Sequence, residues 1–266
     1  MGIVNVTPDS FSDGGQFWAP GQGLDTARAI AHAEQLVAEG ADILDIGGES
    51  TRPGAEPVSV QQECDRVLPV VDGLRHLGRP ISVDTRRPKV MQQAIACGAD
   101  MINDVNGFRD PEAFAAAVGS QCGLCVMHMQ GEPQTMQDAP TYTDVVAEVT
   151  AFLMTQRDAL MASGVQRERI VLDPGFGFGK TLEHNLALMR ALGALSARQP
   201  ILVGVSRKRM IGALMGVPSE PHERVSGSVA AALWAAAQGA QVLRVHDVRA
   251  TVQALSVWRG LSGSGV

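Results

Sequence analysis

Short apolar runs that each end at a polar residue recur along the whole chain. Three of them follow a Gly-Ala pair, as Gly40-Ala-Asp-Ile-Leu-Asp45, Gly98-Ala-Asp-Met-Ile-Asn103 and Gly239-Ala-Gln-Val-Leu-Arg244. In each, the glycine is typical of the end of a helix, and the apolar residues after it predict a short buried strand. The polar residue at the end of the run therefore stands at the carboxyl end of a strand.

Five further segments show the same pattern without the Gly-Ala pair, at 2–5, 80–84, 124–128, 170–173 and 201–206. Helix-compatible segments separate the eight predicted strands, at 24–39, 59–77, 89–96, 111–118, 142–163, 182–196, 223–238 and 248–259. This alternation predicts right-handed βαβ units and a parallel sheet, most simply closed into a (β/α)8 TIM barrel of the α/β class. An open doubly wound sheet is the alternative. We expect one domain over residues 1–266, because barrels of this size are commonly a single domain.

Polar residues gather at the carboxyl ends of the predicted strands, which form the functional face of such a barrel. The ring consists of Asn5, Asp45, Asp84, Asn103, Met127 with His128, Asp173, Ser206, and Arg244 with His246. It is too polar to serve as barrel filling. The two long loops at 7–23 and 47–57 fall on the same face, and their Gly and Pro residues suggest lids that close over a ligand.

The segment Ile170-Val-Leu-Asp173-Pro-Gly-Phe-Gly-Phe178-Gly-Lys-Thr181 suggests a phosphate-binding loop at first sight. A P-loop, however, requires Gly where this chain has Pro174, and a dinucleotide fingerprint requires Gly where it has Lys180. Both standard nucleotide interpretations are therefore weak, and the loop needs another ligand.

The composition and charge of the chain exclude some classes of binding partner. The 266-residue chain has a formal net charge of −6 and a sequence pI near 5.5, which argues against binding to nucleic acid or to an anionic membrane surface. No run of about 18 apolar residues predicts a membrane span. Four cysteines and no apparent secretory signal fit a cytoplasmic protein. Cys122 and Cys125 have redox-motif spacing, but buried structural cysteines are the favoured interpretation.

The chemistry of the ring favours a flat heterocycle with an anionic group. Carboxylates accept hydrogen bonds and amides both donate and accept them, so Asp and Asn side chains suit a ring rich in N–H and C=O edges. Cationic residues cluster late in the chain, as Arg207-Lys208-Arg209 and Arg244-Val-His246. Together with Arg52 they predict an anion site, since the loops after strands seven and eight often bind phosphate in barrels.

At this point the motifs resemble one known family, the dihydropteroate synthases, in order from residue 1 to about 249. The matching segments are Asn5-Val-Thr-Pro-Asp-Ser-Phe-Ser-Asp-Gly14-Gly15, Asp45-Ile-Gly-Gly-Glu-Ser-Thr51-Arg52-Pro53-Gly54, Ser82-Val-Asp84-Thr, Ile102-Asn103-Asp104-Val, Met127-His-Met, Asp173-Pro-Gly-Phe-Gly-Phe178-Gly-Lys, Ser206-Arg-Lys208-Arg and Arg244-Val-His246-Asp247-Val.

The resemblance implies a transferase of folate biosynthesis. Such an enzyme condenses 6-hydroxymethyl-7,8-dihydropterin pyrophosphate with 4-aminobenzoate, giving 7,8-dihydropteroate and pyrophosphate, and sulfonamides compete for the aminobenzoate site. The resemblance assigns Asp84, Asp173 and Lys208 as catalytic residues. The substrate-binding residues it implies are Asn103, Met127, Thr51, Arg52, Pro53, Phe178, Gly204, Ser206, Arg244 and His246.

The resemblance also divides these residues among the substrates. The pterin edge falls to Asp84, Asn103, Asp173 and Lys208, and Arg244 packs on the pterin face. Thr51, Pro53, Phe178 and Lys208 hold the aminobenzoate ring. Asn5 becomes a ligand of Mg²⁺ beside the pyrophosphate, which is also surrounded by Arg52, Arg244 and His246. Such enzymes usually form homodimers through outer barrel helices, and the Ala-rich segment 229–237 would suit that contact.

Some alternatives stay open at the level of sequence. His128 is a candidate general acid or base, although a structural role is the favoured interpretation. A pterin-dependent methyltransferase domain shares the barrel and the acidic pocket, and a pterin-binding barrel without turnover is a rival of another class. The chain also departs from the family motif at Arg209, where Ser often stands, so a hydroxyl contact to the aminobenzoate carboxylate is in doubt.

Overall fold

The computed structural model describes residues 1–7, 18–19, 23–50, 57–131, 135–216 and 220–263. Six parallel strands form one sheet in the order β1, β4, β5, β6, β7, β8. Their bounds are β1 Gly2–Asn5, β4 Leu44–Gly47, β5 Ile81–Asp84, β6 Met101–Asp104, β7 Gly123–Met127 and β8 Ile170–Asp173.

Two short strands, β9 Leu202–Val203 and β10 Val242–Leu243, complete the barrel. They pair in parallel with each other. A bridge between Leu172 and Ile201 joins β8 to the β9 segment, and a bridge between Gly2 and Val245 joins β1 to the β10 segment. The eight strands therefore close into the predicted (β/α)8 barrel, and the open-sheet alternative is wrong.

Nine α-helices lie in the described ranges: α1 Thr26–Ala38, α2 Val60–Leu74, α3 Pro88–Cys97, α4 Pro111–Val118, α5 Val145–Ala162, α6 Leu182–Ser196, α7 Arg209–Met215, α8 Val225–Ala237 and α9 Val248–Ser262. Eight of them match predicted segments to within a few residues. The seven-residue helix α7 was not predicted, because it is too short to show a clear helical period. A small antiparallel pair, β2 Trp18–Ala19 with β3 Gly23–Leu24, was also not predicted.

The glycines that were expected to end helices adopt the left-handed backbone that this position requires. Gly40, Gly98 and Gly239 have φ angles of 102°, 104° and 87°. A residue with a Cβ adopts this conformation at a cost, so glycine is preferred there. At the other end of a helix, the Ser59 hydroxyl accepts from the backbone N–H of Gln62, whose side chain in turn accepts from the N–H of Ser59, in a capping box for α2.

Alternation along the strands separates the two layers of the fold. Val4, Ile46 and Val83 belong to the large hydrophobic cluster shared with the outer helices. The strand positions that alternate with these line the barrel, where Cys125, Val171 and Leu202 form a separate apolar cluster with Met1, Met101 and Val242 packed against it. Polar side chains occupy the carboxyl-terminal end of the barrel above this apolar layer, so the fold places them together at one mouth.

The fold also bears on the predictions made for the cysteines and for membrane-spanning segments. All four cysteines are free thiols. Cys122, Cys125 and Cys64 are buried, and Cys97 is half-buried. Among the described residues, no helix is both long enough and apolar enough to cross a membrane. The assignment of residues 1–266 to one domain stays a prediction.

Candidate active site

One row of paired strand residues defines the mouth of the barrel. Asn5 is in register with Gly47, Gly47 with Asp84, and Asp84 with Asn103. Two residues lower, Asp45 is in register with Ser82. Because side chains two apart on a strand point to the same side, the Asp45 carboxylate lies one layer below the row. The predicted polar ring is thus two layers deep on this side of the barrel.

Arg244 joins the two layers. Its Nε lies 2.5 Å from Asp45 Oδ2, and its terminal nitrogen lies 2.8 Å from Asp84 Oδ2. Gly204 lies beside this side chain, since a Cβ at position 204 would be in ordinary van der Waals contact with Arg244 Cβ and Cδ, at 3.8 Å. One guanidinium from β10 therefore ties together carboxylates from β4 and β5.

Burial and charge change the protonation equilibria of Asp84 and Arg244. It raises the pKa of Asp84 to about 7, with Arg244 opposing the shift and Asp45 adding to it. Burial alone would lower the pKa of Arg244, but Asp45 and Asp84 outweigh it and raise the pKa above its usual value. Arg244 stays charged, and Asp84 lies near the balance between its two protonation states at neutral pH.

Three buried polar atoms in this region have no hydrogen-bond partner among the described residues: Asp45 Oδ1, Ser82 Oγ and Asn103 Oδ1. Burying a polar group without a partner costs about 1–3 kcal/mol, so native proteins rarely leave several such groups together. All three belong to inward positions of neighbouring strands β4, β5 and β6. A ligand or water that donates hydrogen bonds would satisfy them.

Asp173 and Lys208 form the other side of the pocket. The buried Asp173 Oδ1 accepts from the backbone N–H of Gly175 at 2.7 Å. Lys208 Nζ donates to the carbonyl of Phe176 at 2.6 Å and lies 4.8 Å from the centre of the Phe178 ring. Burial raises the pKa of Asp173, which the nearby Lys208 opposes. Burial also lowers the pKa of Lys208 to about 8, against the attraction of Asp173.

The loop after Asp173 follows a sharply turned path. Gly175, Gly177 and Gly179 have φ angles of 67°, 80° and 61°. A Cβ on Gly175 would lie 1.9 Å from the carbonyl oxygen of His128, and one on Gly179 would lie 2.4 Å from that of Gln130. Gly175 and Gly179 therefore allow close backbone packing onto the segment after β7, and all three glycines allow the sharp turns of the loop.

Met127 and Phe178 share an apolar wall beside this loop. Met127 is in register with Asp173 at the ends of β7 and β8. It is buried with Val105, Met129 and Met136, and Phe178 packs against this cluster while remaining half-buried. The predicted substrate residues Met127 and Phe178 thus lie on the same side of the pocket as Asp173.

The loops after β9 and β10 meet through Ser206. Its hydroxyl lies 3.0 Å from His246 Nδ1 and accepts from the backbone N–H of His246 at 3.2 Å. The basic triplet does not act as one cluster. Arg207 forms a two-point ion pair with Asp247, Lys208 turns to the Phe176 carbonyl, and Arg209 is exposed at the start of α7.

Of the remaining predicted residues, the structure describes some and not others. Asn5 is half-buried at the end of β1, in register with Gly47. Thr51, Arg52 and Pro53 lie outside the described residues, as does most of the loop at 7–23. The structure places the other predicted residues at or just after the carboxyl-terminal ends of the barrel strands, and their roles stay predictions.

Two buried networks around the site were not predicted as functional. Lys180 is 3% exposed and contacts His128 and the loop at 174–179, hereafter the glycine loop. Glu63 is fully buried in α2, where it accepts from the Thr85 hydroxyl at 2.5 Å and lies 3.2 Å from Arg87 Nε. Their residue types are visible in the sequence, but their partners are tens of positions away along the chain. Only the strand-end pattern could have drawn attention to the neighbouring His128 and Thr85.

The Glu63 network supports the start of the second loop. Glu49 pairs with Arg87 at 2.6 Å and with Arg86 at 2.9 Å. Burial raises the pKa of Glu63 to about 7, with the Thr85 hydrogen bond and Arg87 opposing the shift. Since Glu49 comes just before residues 51–56, these ion pairs fix the chain where the second loop begins.

Comparison with known proteins adds the identity of the fold family. The model of the family described as pterin binding enzyme matches residues 1–246. A dihydropteroate synthase of Neisseria meningitidis serogroup B is 54% identical over 267 aligned positions, covering 98% of this chain and 92% of the relative.

Solved structures agree with the sequence match. The Yersinia pestis dihydropteroate synthase in a sulfonamide drug complex superimposes with a TM-score of 0.91 at 45% identity, covering 98% of this chain and 93% of that one. The Burkholderia cenocepacia dihydropteroate synthase complexed with 7,8-dihydropteroate gives a TM-score of 0.87 at 49% identity, covering 99% and 91%. The chain belongs to the pterin-binding enzyme family, and within it to the dihydropteroate synthases.

Proposed function

We propose that the polar rows at the mouth of the barrel bind the pterin ring and that the adjoining loops hold pyrophosphate and 4-aminobenzoate. The protein is a transferase of folate biosynthesis. It condenses 6-hydroxymethyl-7,8-dihydropterin pyrophosphate with 4-aminobenzoate and releases 7,8-dihydropteroate and pyrophosphate. The observation that carries the site assignment is the set of buried acceptors at inward positions of neighbouring strands, above all Asn103 Oδ1, which have no partners among the described residues.

The pterin edge suits these acceptors. A pterin presents several ring and amino N–H groups together with one carbonyl, so it needs acceptors on most of its edge and a donor at one point. Asp84, Asn103 and Asp173 supply the acceptors, and Lys208 supplies a donor. Hydrogen bonds to charged groups contribute about 1.5–3 kcal/mol each, so these few contacts are enough to select the ring. Arg244, held by Asp45 and Asp84, would cover the pterin face.

Pyrophosphate would lie toward β1 and β10, near Asn5, Arg244 and His246, together with Arg52 from the second loop. Mg²⁺ fits this side of the site. The Asn5 amide offers an oxygen ligand, and Gly47 leaves space beside it, since a Cβ there would lie 3.6 Å from Asn5 Oδ1. The described residues contain no cluster of three acidic, His or Cys ligands. Phosphate oxygens and water would therefore complete the coordination of the ion, which when bound neutralises charge on the leaving group.

The second substrate would lie against Phe178 and Lys208, and the family resemblance adds Thr51 and Pro53 from the second loop. Lys208 already lies over the Phe178 ring. The carboxylate of 4-aminobenzoate would lie near the turn at Ser206 and the exposed Arg209, which supplies positive charge in place of the hydroxyl common in the family. Sulfonamides would compete for this subsite.

The favoured mechanism is dissociative. The bond between the pterin methylene carbon and the pyrophosphate oxygen breaks with its electron pair on pyrophosphate, leaving a delocalised pterin cation. The carboxylates of Asp84 and Asp173 would stabilise this cation, because fixed charges act strongly in a pocket from which water is excluded. The amine of 4-aminobenzoate then forms the new C–N bond and passes one proton to the released pyrophosphate or to water. His128 is not needed as a base.

Two rival functions can be separated by one assay. A methyltransferase domain would not release pyrophosphate, and a non-catalytic barrel would bind pterin without turnover. The assay follows pyrophosphate release and dihydropteroate formation from the pterin pyrophosphate, with and without 4-aminobenzoate and Mg²⁺. We expect equal amounts of both products, dependent on both additions. Tight pterin binding with no dihydropteroate formed would rule out the enzyme assignment.

We also propose that the protein is a cytoplasmic homodimer. The free cysteines fit a reducing compartment. Large apolar side chains on three neighbouring outer helices support the dimer: Leu214 on α7, Trp234 on α8 and Val257 on α9 are each at least half exposed. Such a surface is typical of a protein interface.

A further inference from the structure

Lys180 has a buried amine, whose pKa burial lowers to about 7, and none of the proposed substrate contacts uses it. Its Nζ lies 2.9 Å from the Gly175 carbonyl oxygen, 3.0 Å from that of Phe178 and 3.3 Å from that of His128. It also lies 3.0 Å from His128 Nδ1. With only 3% of the residue exposed, these contacts replace water around the amine.

The acceptors come from two separate parts of the site. Gly175 and Phe178 lie near the two ends of the glycine loop, whereas His128 is the first residue after β7. The backbone N–H of His128 in turn donates to the Asp173 carbonyl at 3.0 Å. One side chain therefore holds the loop that starts at Asp173 and ends at Phe178 against the neighbouring strand. Those two residues are the proposed pterin acceptor and aminobenzoate wall.

The surroundings of His128 determine its part in this arrangement. Its ring packs edge-on to Phe152, with centres 5.1 Å apart, and lies 6.1 Å from the ring of Tyr142. Since Nδ1 faces the Lys180 amine, the ring accepts there and carries its proton on Nε2. Burial lowers the pKa of His128 to about 3, and Lys180 adds to the shift, so the ring is neutral at neutral pH. A neutral acceptor suits a positioning role and not proton transfer.

We propose that Lys180 and His128 act together as a positioning pair, which fixes Asp173 for the pterin and Phe178 for 4-aminobenzoate. This inference rests on the proposed function of the site and adds two residues to it. The pair does not touch the substrates. It acts through the backbone of the glycine loop, so its loss should change substrate affinity on this side of the pocket and leave the pyrophosphate side intact.

The first test replaces Lys180 by methionine, which keeps the length and apolar stem but removes the amine, with the exposed Lys89→Met as control. For Lys180→Met we expect a rise of about tenfold or more in KM for 4-aminobenzoate and a fall in kcat, because misplacing reacting groups by about 1 Å can cost about a hundredfold. Affinity for inorganic pyrophosphate should stay unchanged. A purely structural role would lower the thermal midpoint and the active fraction without changing KM, and that result would overturn the proposal.

The second test does not depend on Lys180→Met folding. His128→Gln keeps an acceptor near Lys180, whereas His128→Leu removes it. We expect His128→Gln to retain activity within about threefold with an unaltered pH profile, and His128→Leu to show the same KM defect as Lys180→Met. Equal loss in both variants, or loss of one limb of the pH profile in His128→Gln, would overturn the positioning role. If the unmodified protein formed no dihydropteroate, the proposed function would fail instead.

Discussion

Charged side chains at the site pair with residues from other elements, and these pairs affect either substrate binding or stability. Arg244 holds two carboxylates, one of them fully buried at Asp45. Lys208 lies near Asp173 and over Phe178, so it serves both proposed substrate positions. Glu63 lies behind the site, with a charge that burial disfavours. Substitutions at these residues should therefore separate binding from stability.

Arg244→Ala should weaken pyrophosphate binding more than pterin binding, because the variant loses a cation beside the anion but keeps the pterin acceptors. It should also lower the free energy of unfolding by about 3 kcal/mol, since removal of one partner leaves the other charges buried and unpaired. Calorimetric titration and urea denaturation measure the two effects. The exposed Arg259→Ala is the control, and equal losses for both ligands would contradict the anion role.

Glu63→Gln should change how stability depends on pH. The folded-state pKa of Glu63 is raised from 4.5 to about 7, so its stabilising protonated form is fully present below about pH 4.5 and is lost as pH rises through about 7. The glutamine variant lacks this loss. Its stability relative to the unmodified protein should therefore increase between pH 4.5 and 7, by an amount on the order of 1 kcal/mol per unit of pKa shift.

Thermal midpoints of both proteins across this pH range measure the effect. The exposed Glu168→Gln is the control and should follow the unmodified protein. A constant difference between Glu63→Gln and the unmodified protein from pH 4.5 to 8 would show that Glu63 has an ordinary pKa.

At the residue level, the sequence could predict which polar residues lie at the strand ends, but not which side chains they pair with. Asp84, Asn103 and Asp173 stand at strand ends, and the barrel brings strand ends to one face. The pairing of Arg244 with Asp45 and Asp84 joins residues 199 and 160 positions apart, which no local pattern encodes. Lys180 was part of a recognised motif, yet its role depends on carbonyl groups that only the folded loop brings around it.

The glycine loop between β8 and α6 is the element on which the site depends most. Its shape follows from three left-handed glycines and from hydrogen bonds at its edges. The Gly177 N–H donates to Asn185 Oδ1 at 2.8 Å, and Tyr142 Oη donates to the Gly179 carbonyl at 2.9 Å. Gln137 Nε2 donates to the Gly177 carbonyl. Helix α6 and the segment before α5 thus hold the loop from two sides.

Gly175→Ala should disrupt this element. The new Cβ would lie 1.9 Å from the His128 carbonyl oxygen at a φ of 67°, so the backbone must move. We expect a loss of about 1–3 kcal/mol in the free energy of unfolding and weaker binding of both substrates. Gly260→Ala is the matched control, because that glycine lies in α9 with open space around its Cβ position. Wild-type stability and affinity in Gly175→Ala would contradict the packing described here.

Elements were predictable where periodicity and end signals agreed. Helix α2 begins at a capping box and α3 and α4 begin at prolines, and all three were expected. Helix α7 was not, since its seven residues begin inside the basic triplet, at Arg209, without a capping side chain. Arg209 is exposed in the first turn of that helix while Lys208 turns to the Phe176 carbonyl, and so the triplet does not form the single anion cluster that its sequence suggested.

At the scale of the whole molecule, barrel closure depends on single bridges beside two very short strands. The alternation of strands and helices predicted the barrel, but not which apolar side chains of its outer helices are exposed. Leu214, Trp234 and Val257 were not predicted as exposed, because an Ala-rich amphipathic pattern looks the same for a buried helix and for an interface.

The proposed homodimer can be tested by sedimentation at micromolar concentration. We expect a species of twice the 28.1 kDa chain mass. Trp234→Asp should shift it toward monomer, because a charge would be buried at the interface. Met161→Asp is the control, since Met161 is also an exposed apolar residue but lies on α5. A monomeric unmodified protein would contradict the proposal.

The most direct measurement of the central claim is the pterin affinity of Asp173→Asn relative to the unmodified protein, with the exposed Asp65→Asn as control. Asparagine keeps an oxygen for the Gly175 N–H but loses the charge offered to the pterin edge. The account predicts a loss of about 1–3 kcal/mol, which is roughly tenfold to a hundredfold in Kd. An unchanged Kd in Asp173→Asn would show that the pterin binds elsewhere.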